Sequence, residues 1–564
     1  MKDPERSTSP RLSLWFFAGF SVLFLALVIP GIRSNSLTND EPVEITNGYY
    51  SLTRGDVAAS HNYSPFATAF CALPLLGLPL RTLPLSGDVF DRAQAFLFVW
   101  NLDQLAWITP LARMGNLILG LLLGFFLYQA TGKERVLSFF VLFLWALNPT
   151  LLSLSGLAKT DMPGVVLFFL TVCLFQKTFS GNLKLFSLST GLALAAAVTS
   201  KFSCLILIPV FLLMEILDFK KGGARERAGL LKQRIFWVWG GGIFSFFLAV
   251  FFIYLPAALY SSGHRFPLVY FFEKFRELTL FDQKPYPVYF WGEGGFQNHW
   301  FYFPAVFILK SPIPFLLFLL TGLFLGFRRR LTFPVWLWAP PLGIFLSMLP
   351  HLNEGIRFLA PALPFTFIIA AQGAAWCWTR KSGDLKFKIP VLGLLIWQLL
   401  SVGSCFPSFL SYFNDGVSPE RKIFFLADSN LDWGQDLKRL AGVAQKRHWP
   451  RVKLAYFGGV DPAVYGLNWE PWRVADLESP RPGAVYAVNT SFFQLAPVAY
   501  PPTKVIVESW LAKELPTGKV ADSWYYFEIP GKNKKQKSTP YLASAPFLQY
   551  RGYAAFPLGP TGPE

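Results

Sequence analysis

Leu185 to Asp218 reads LFSLSTGLALAAAVTSKFSCLILIPVFLLMEILD, an apolar stretch broken near its middle by Ser200 and Lys201. A membrane-spanning helix needs about 20 apolar residues, so this stretch is one overlong helix or two short ones. Its flanks decide between them. Lys177 and Lys184 precede it, and the basic stretch Lys220 to Arg234 follows it. Lys and Arg concentrate in cytosolic connections, so both ends lie on the same side. The chain therefore crosses twice here and turns near Ser200 and Lys201.

The same rule extends along the chain. Apolar runs of spanning quality occur at 12–32, 111–131, 136–155, 162–176, 185–199, 202–218, 235–259, 303–327, 333–350, 357–378 and 389–411. That gives about eleven crossings. One crossing between neighbours leaves the N-terminus, Lys133 with Arg135, Arg328 to Arg330 and Arg380 to Lys388 all cytosolic. The first run lacks a small-residue cleavage site, so it is expected to stay as an anchor rather than act as a signal peptide.

Composition agrees. The 564 residues are 53% hydrophobic, 17% aromatic and 15% charged, with a mean hydropathy of +0.39. That is more apolar surface than soluble domains can bury. The net charge of +17 sits largely in short connections between spans, which points to membrane topology and anionic lipid, not to nucleic acid. The five cysteines are scattered without ligand-like spacing, so neither a disulfide framework nor a cysteine-bound metal is expected.

The expected organisation is a polytopic α-helical membrane region, residues 1–411, with non-cytosolic loops at 33–110 and 260–302. A separate soluble domain, 412–564, follows on the same non-cytosolic side. Within it Asp432 to Gln445 reads as an amphipathic helix, and Val452 to Phe457, Ala484 to Val488 and Trp524 to Ile529 read as strands of a small α/β fold. The tail, with GKNKKQK at 531–537, reads as loosely ordered. No internal repeat, Gly-rich nucleotide loop, HExxH or nucleophile elbow is present.

Residues able to carry chemistry fall on the non-cytosolic face. Asp40 and Glu41, in TNDEPVE after the first span, sit where low dielectric tends to raise a carboxylate's pKa and suit it to general-base work. The competing reading is a helix N-cap by Thr38, Asn39 or Asp40, with Glu44 at capping-box spacing, and residues alone favour the cap. In LAKTDMP, Lys159 and Asp161 stand at a span mouth, either as functional groups or as an ion pair and cap. Lys201, Lys310 and Arg357 can neutralise a phosphate or merely snorkel to the interface. The loop PYPVYFWGEGGFQNHWFYFP holds Glu293, His299 and many aromatics, which read as an interfacial belt or as a platform for sugar and lipid. Asp428, Asp432 and Asp436 in DSNLDWGQDL read best as a solvated acidic helix face.

The order of these motifs, TNDE, LAKTDMP, FILKSPIP, RFLAPALP and DSNLDWGQDL, resembles the GT-C glycosyltransferases. Within them it is similar to the bacterial protein O-mannosyltransferase and aminoarabinose-transferase branch, over nearly the whole chain. The resemblance implies a GT-C type membrane fold and an inverting sugar transfer from a polyprenyl monophosphate carrier to a protein, lipid or glycan acceptor. It makes Asp40 the base with Glu41 beside it, matches Asp161 to the later acid, and sets Lys201, Lys310 and Arg357, with Lys159, at the donor phosphate. Glu293 and His299 would serve the substrate loop. It implies the bacterial inner membrane, with the active site periplasmic. No cofactor is expected, and a divalent metal, for which Asp40 and Asp161 are the available ligands, stays unassigned. One departure is HNYSPF, where His61 and Pro65 are spread apart in place of a His-Pro-Pro segment. Three other classes remain: a transporter, a lipid-linked glycan ligase or polymerase, and a non-catalytic scaffold.

Overall fold

The computed structural model describes residues 10–56, 65–219, 231–260, 265–282, 285–380, 385–499, 510 and 515–531. His61, Asn62 and nearly all of the basic tail lie outside the described residues. Helix α1 runs Pro10–Ser34, α2 Glu41–Arg54, α3 Pro65–Ala72, α4 Val89–Ala93 and α5 Leu105–Ala130. There follow α6 Arg135–Ala146, α7 Pro149–Ser155, α8 Asp161–Lys177, α9 Leu183–Ser200 and α10 Leu207–Phe219. Next come α11 Gly242–Tyr260, α12 Pro267–Asp282, α13 Tyr302–Lys310, α14 Ile313–Phe327, α15 Val335–Met348, α16 Leu363–Thr379 and α17 Leu385–Gly403.

Six helices among the described residues are long and apolar enough to cross a membrane, or up to eight if each of two bent pairs is one span. The expected turn at Ser200 and Lys201 is present: α9 ends at Ser200, and Lys201 is extended at φ −151°, ψ 113°. Two runs expected to be continuous are broken instead. The 136–155 run bends by 62° between α6 and α7, and the 303–327 run by 117° between α13 and α14. Both breaks fall at a residue preceding proline, Asn148 (φ −101°, ψ 114°) and Ser311 (φ −103°, ψ 138°). Proline's ring excludes the helical conformation from its predecessor, so the chain leaves the axis there. Asn148 then caps α7 by accepting from Leu151 N at 3.0 Å. One hydrophobic cluster ties these helices together, with Trp145 of α6 stacked on Phe24 of α1 at 4.6 Å between centroids.

A short hairpin, β1 Val288–Phe290 and β2 Glu293–Gly295, precedes α13. The C-terminal region carries α18 Leu437–Lys446, β3 Val452–Ala455, β4 Trp469–Pro471, β5 Val485–Asn489, α19 Thr490–Ala499, β6 Gly518–Val520 and β7 Trp524–Glu528. Its sheet has the order β4-β3-β5-β7-β6, with β3 parallel to both neighbours and β7 antiparallel to both of its own. The three expected strands are its central members. The two edge strands are only three residues each, too short to leave an alternating pattern.

This region is not a body apart. Leu37, Ile45 and Tyr49 of the first loop share a hydrophobic cluster with Leu437, Val452 and Trp524. The segment 433–437 also runs beside 36–39, with Ser36 N donating to Gln435 O at 2.9 Å and Asn39 N to Trp433 O at 2.8 Å.

Candidate active-site chamber

Five stretches far apart in sequence, around Asp40, Lys159, Lys201, Arg357 and Asp428, meet at a cavity of about 820 Å³. Its polar end is lined by Asp40, Glu44, Lys159, Asp161, Lys201, Glu354, Arg357 and Asp428. The same cavity is also walled by apolar residues: Phe202, Leu205 and Ile206 of the segment just before α10, Phe275 and Leu278 of α12, and Met348 of α15. Its wall is therefore part ionic and part apolar.

Asp40 occupies the N-cap position of α2, yet its side chain makes no capping bond. It accepts instead from Lys159 Nζ at 2.8 Å and from Asn39 Nδ2 at 3.1 Å, and it remains 18% exposed. Lys159, buried, also donates to Glu44 Oε1 at 2.5 Å. Of the two readings of LAKTDMP, the Lys159–Asp161 ion pair is not the one formed: Lys159 pairs with Asp40 and Glu44, and residues two apart do not face each other at a helix entry. Asp161 receives Lys201 Nζ at 2.6 Å, with Arg357 Nη1 at 4.0 Å. Gly164, one turn along α8, leaves room for the Lys201 stem, since a Cβ there would lie 3.2 Å from Lys201 Cβ.

Aromatic rings stand beside the cations. Trp433 has Lys159 Nζ 4.5 Å and Arg357 Cζ 4.7 Å from its centroid. Phe358 has Lys201 Nζ at 4.4 Å and Arg357 Cζ at 4.9 Å. Such contacts hold cations in place without neutralising them. Buried atoms here without a hydrogen-bond partner include Glu44 Oε2, Asp161 Oδ2, Ser203 Oγ and Arg357 Nε.

Burial pushes the Asp40 carboxyl up, but Lys159 and Arg357 outweigh it and hold the group below its ordinary value. The expectation that low dielectric would raise Asp40 is thus corrected: neighbouring cations decide, and Asp40 is ionised at neutral pH. The raised carboxyl is Glu44, which burial pushes to about 7 against the opposing pull of Lys159. Asp428 is likewise pushed to about 7 by burial, opposed by Arg357 and reinforced by Glu354 and Asp40.

Glu41 does not reach the chamber. Its fully buried carboxylate accepts Arg113 Nε at 2.8 Å, Arg113 Nη2 at 2.7 Å, Ala158 N at 2.7 Å and Thr38 N at 2.8 Å. Arg113 gives its other donors to the Ile32, Asn35 and Ser36 carbonyls. Lys310 also lies off the chamber, donating to the Leu410 and Asn430 carbonyls at 2.8 and 2.5 Å. Glu293 is exposed on β2, and the His299 ring packs on Phe290 and Phe301, so neither lines the cavity.

The solvated acidic face expected of DSNLDWGQDL is also corrected. Asp432 is fully buried and accepts from Gly434 N, Ser491 N and Thr490 Oγ1. Asp436 is fully buried between Ser523, Gln435 and Arg439, and α18 begins only after it. Sequence reasoning missed Arg113, although a lone charge beside an apolar run was a signal for it. It also missed Glu44, set aside as capping-box material, and Glu354. Among the described residues no group of three or more His, Cys, Asp or Glu is placed to hold a metal ion. Asp40 and Asp161, the ligands the sequence offered, each hold a lysine ammonium.

Fold and chamber together define a mostly helical, multi-pass membrane protein with an ion-lined cavity that also has apolar walls. No protein-family model and no curated protein matches the chain. Among solved structures it is similar to ArnT from Cupriavidus metallidurans bound to undecaprenyl phosphate, with a TM-score of 0.47 and 11% identity over 92% of this chain and 98% of that one. It is also similar to the archaeal oligosaccharyltransferase AglB from Archaeoglobus fulgidus in complex with an inhibitory peptide and a dolichol-phosphate, with a TM-score of 0.42 and 12% identity over 69% and 55% of the two chains.

Proposed function

We propose that the chain is a membrane glycosyltransferase that moves a sugar from a polyprenyl monophosphate carrier to an acceptor hydroxyl at the non-cytosolic face. The observation that carries this reading is the amphipathic chamber, whose ionic lining suits a phosphate and a sugar and whose apolar lining suits an isoprenoid chain. Among the described residues six helices, or up to eight with each bent pair as one span, are long and apolar enough to cross, and the loop charges read as about eleven crossings. On that count every connection contributing to the chamber lies on one side, away from the basic loops. The bacterial inner membrane, with the chamber periplasmic, follows from the family resemblance of the motifs.

In the proposed reaction the acceptor oxygen attacks the anomeric carbon from the face opposite the carrier. Asp40, ionised and partly exposed to the cavity, takes the acceptor's proton as the new glycosidic bond forms. The bond from the anomeric carbon to the phosphate oxygen breaks, and its electron pair leaves with the polyprenyl phosphate. Lys201 and Arg357 stabilise that charge, and the unpaired Arg357 Nε is a donor available to it. Displacement from the opposite face inverts the anomeric configuration. Lys159 holds Asp40 in place, and Asp161 orients Lys201.

A transporter is the competing reading, but its polar groups mark a path near the bilayer midplane. Here the acids gather in the connections at one end of the helices. The test is incubation of membranes containing the protein with radiolabelled polyprenyl-phosphate mannose and other polyprenyl-phosphate sugars, followed by separation of protein, lipid and glycan fractions. Label entering one fraction supports transfer and names the acceptor class. If no donor is consumed with any acceptor, the reading fails.

A further inference from the structure

The C-terminal region contributes one carboxylate to the chamber, Asp428, and its backbone is held in the left-handed region at φ +52°. Only a few per cent of non-glycine residues adopt that conformation. Here the neighbouring residues enforce it. Asn430 donates to the Tyr302 hydroxyl at 2.9 Å and accepts from Ile356 N at 3.0 Å. Ser429 Oγ donates to Glu354 O at 2.5 Å, and Lys310 Nζ fastens the Asn430 carbonyl. Gly355, at φ +134°, allows this approach, because a Cβ there would lie 2.7 Å from Ser429 Oγ. The bonds of Ser429 and Asn430 hold this left-handed backbone and keep Asp428 at the chamber wall, which points to a task for its side chain.

The Asp428 carboxylate has one local partner, the Ser429 amide, and its charged neighbours are Arg357, Glu354 and Asp40. The carboxyl groups of Asp428, Glu354 and Asp40 supply acceptors and not the positive charge a phosphate needs, which comes from Lys201 and Arg357. They are well suited to the hydroxyls of a sugar, since a carboxyl oxygen accepts from an O–H at either of its lone pairs. Tyr286 lines the same cavity and offers a face for the apolar side of a sugar ring.

Resting on the reading above, we propose that Asp428 recognises the hydroxyls of the transferred sugar, so that the C-terminal region sets donor specificity at the chamber. The probes are decaprenyl phosphate, decaprenyl-phosphate mannose and decaprenyl-phosphate glucose, titrated against purified full-length protein in detergent by thermal shift. Two variants accept the left-handed backbone, Asp428→Asn and Asp428→Gly. Both are expected to bind bare decaprenyl phosphate within about twofold of wild type, which also shows that they are folded. Asp428→Gly is expected to bind the preferred sugar-bearing donor about 10- to 100-fold more weakly than wild type, the scale of a hydrogen bond to a charged group. Equal affinity of wild type and Asp428→Gly for every sugar-bearing probe overturns the proposal, and so does a loss that extends equally to the bare phosphate. Failure of wild type to bind decaprenyl phosphate at all overturns the underlying transferase reading and this assignment with it.

Discussion

Arg113 and Glu41 close a bidentate ion pair, at 2.8 and 2.7 Å, with both side chains fully excluded from solvent. Glu41 also binds the amide of Ala158, so one carboxylate fixes the neighbours of both Asp40 and Lys159. Removing one partner of such a pair leaves an uncompensated buried charge, at a cost of about 3–5 kcal/mol. Glu41→Gln is therefore expected to lower unfolding stability by about that amount in detergent. A loss under about 1 kcal/mol would show that Arg113 is held by its carbonyl partners alone.

Asp40 is the residue on which the chemistry depends most directly. Asp40→Asn keeps the side chain's size and an oxygen for Lys159 but removes the base. Transfer from a polyprenyl-phosphate sugar is expected to fall by about 100- to 10,000-fold, the usual contribution of a general base. The unfolding temperature should stay close to wild type. Transfer at a tenth or more of the wild-type rate would move the base elsewhere, with Glu44 the next carboxylate in reach of Lys159.

Features written in local sequence were legible. The break within 185–218 is expected from the basic flanks of that run, and it falls at Ser200 and Lys201 as the reading expects. Asp40, Lys159, Asp161, Lys201 and Arg357, all singled out from sequence, line one cavity. What escaped depends on partners distant in the chain. Lys159 had Asp161 two residues away, but packing gave it Asp40 and Glu44, more than a hundred residues back. Lys310 and Arg357 look alike as cations near span ends, yet only the bend after α13 turns Lys310 onto backbone carbonyls. The aspartates of DSNLDWGQDL carry no local sign of burial, which comes from Ser491, Ser523 and the first loop.

That difference between cations can be measured. Lys201→Met removes a charge from the chamber and is expected to weaken binding of bare decaprenyl phosphate by about 10- to 100-fold, as loss of a charge-assisted hydrogen bond does. Lys310→Met should act instead on stability, since it leaves the Leu410 and Asn430 carbonyls without their donor. Isothermal titration on the folded fraction separates the two. Equal loss of affinity in both variants would place Lys310 at the phosphate.

Glu44 makes the protein's stability depend on pH with a definite sign. Its carboxyl is pushed to about 7 in the folded chain, chiefly by burial, whereas an unfolded glutamate titrates near about 4.3. Between those values the folded state binds more protons than the unfolded one, so stability falls as pH rises through the window and stays lower above it. Asp428, also pushed to about 7, adds to the same slope. Asp40, held below its ordinary value, contributes the opposite way, but only at more acidic pH. Thermal unfolding from pH 5 to pH 8 is therefore expected to show a declining transition temperature in wild type. Glu44→Gln should flatten that decline, because a glutamine has no proton to lose and Lys159 keeps Asp40 as its partner. A variant that declines as steeply as wild type would mean that Lys159 holds Glu44 ionised throughout the range.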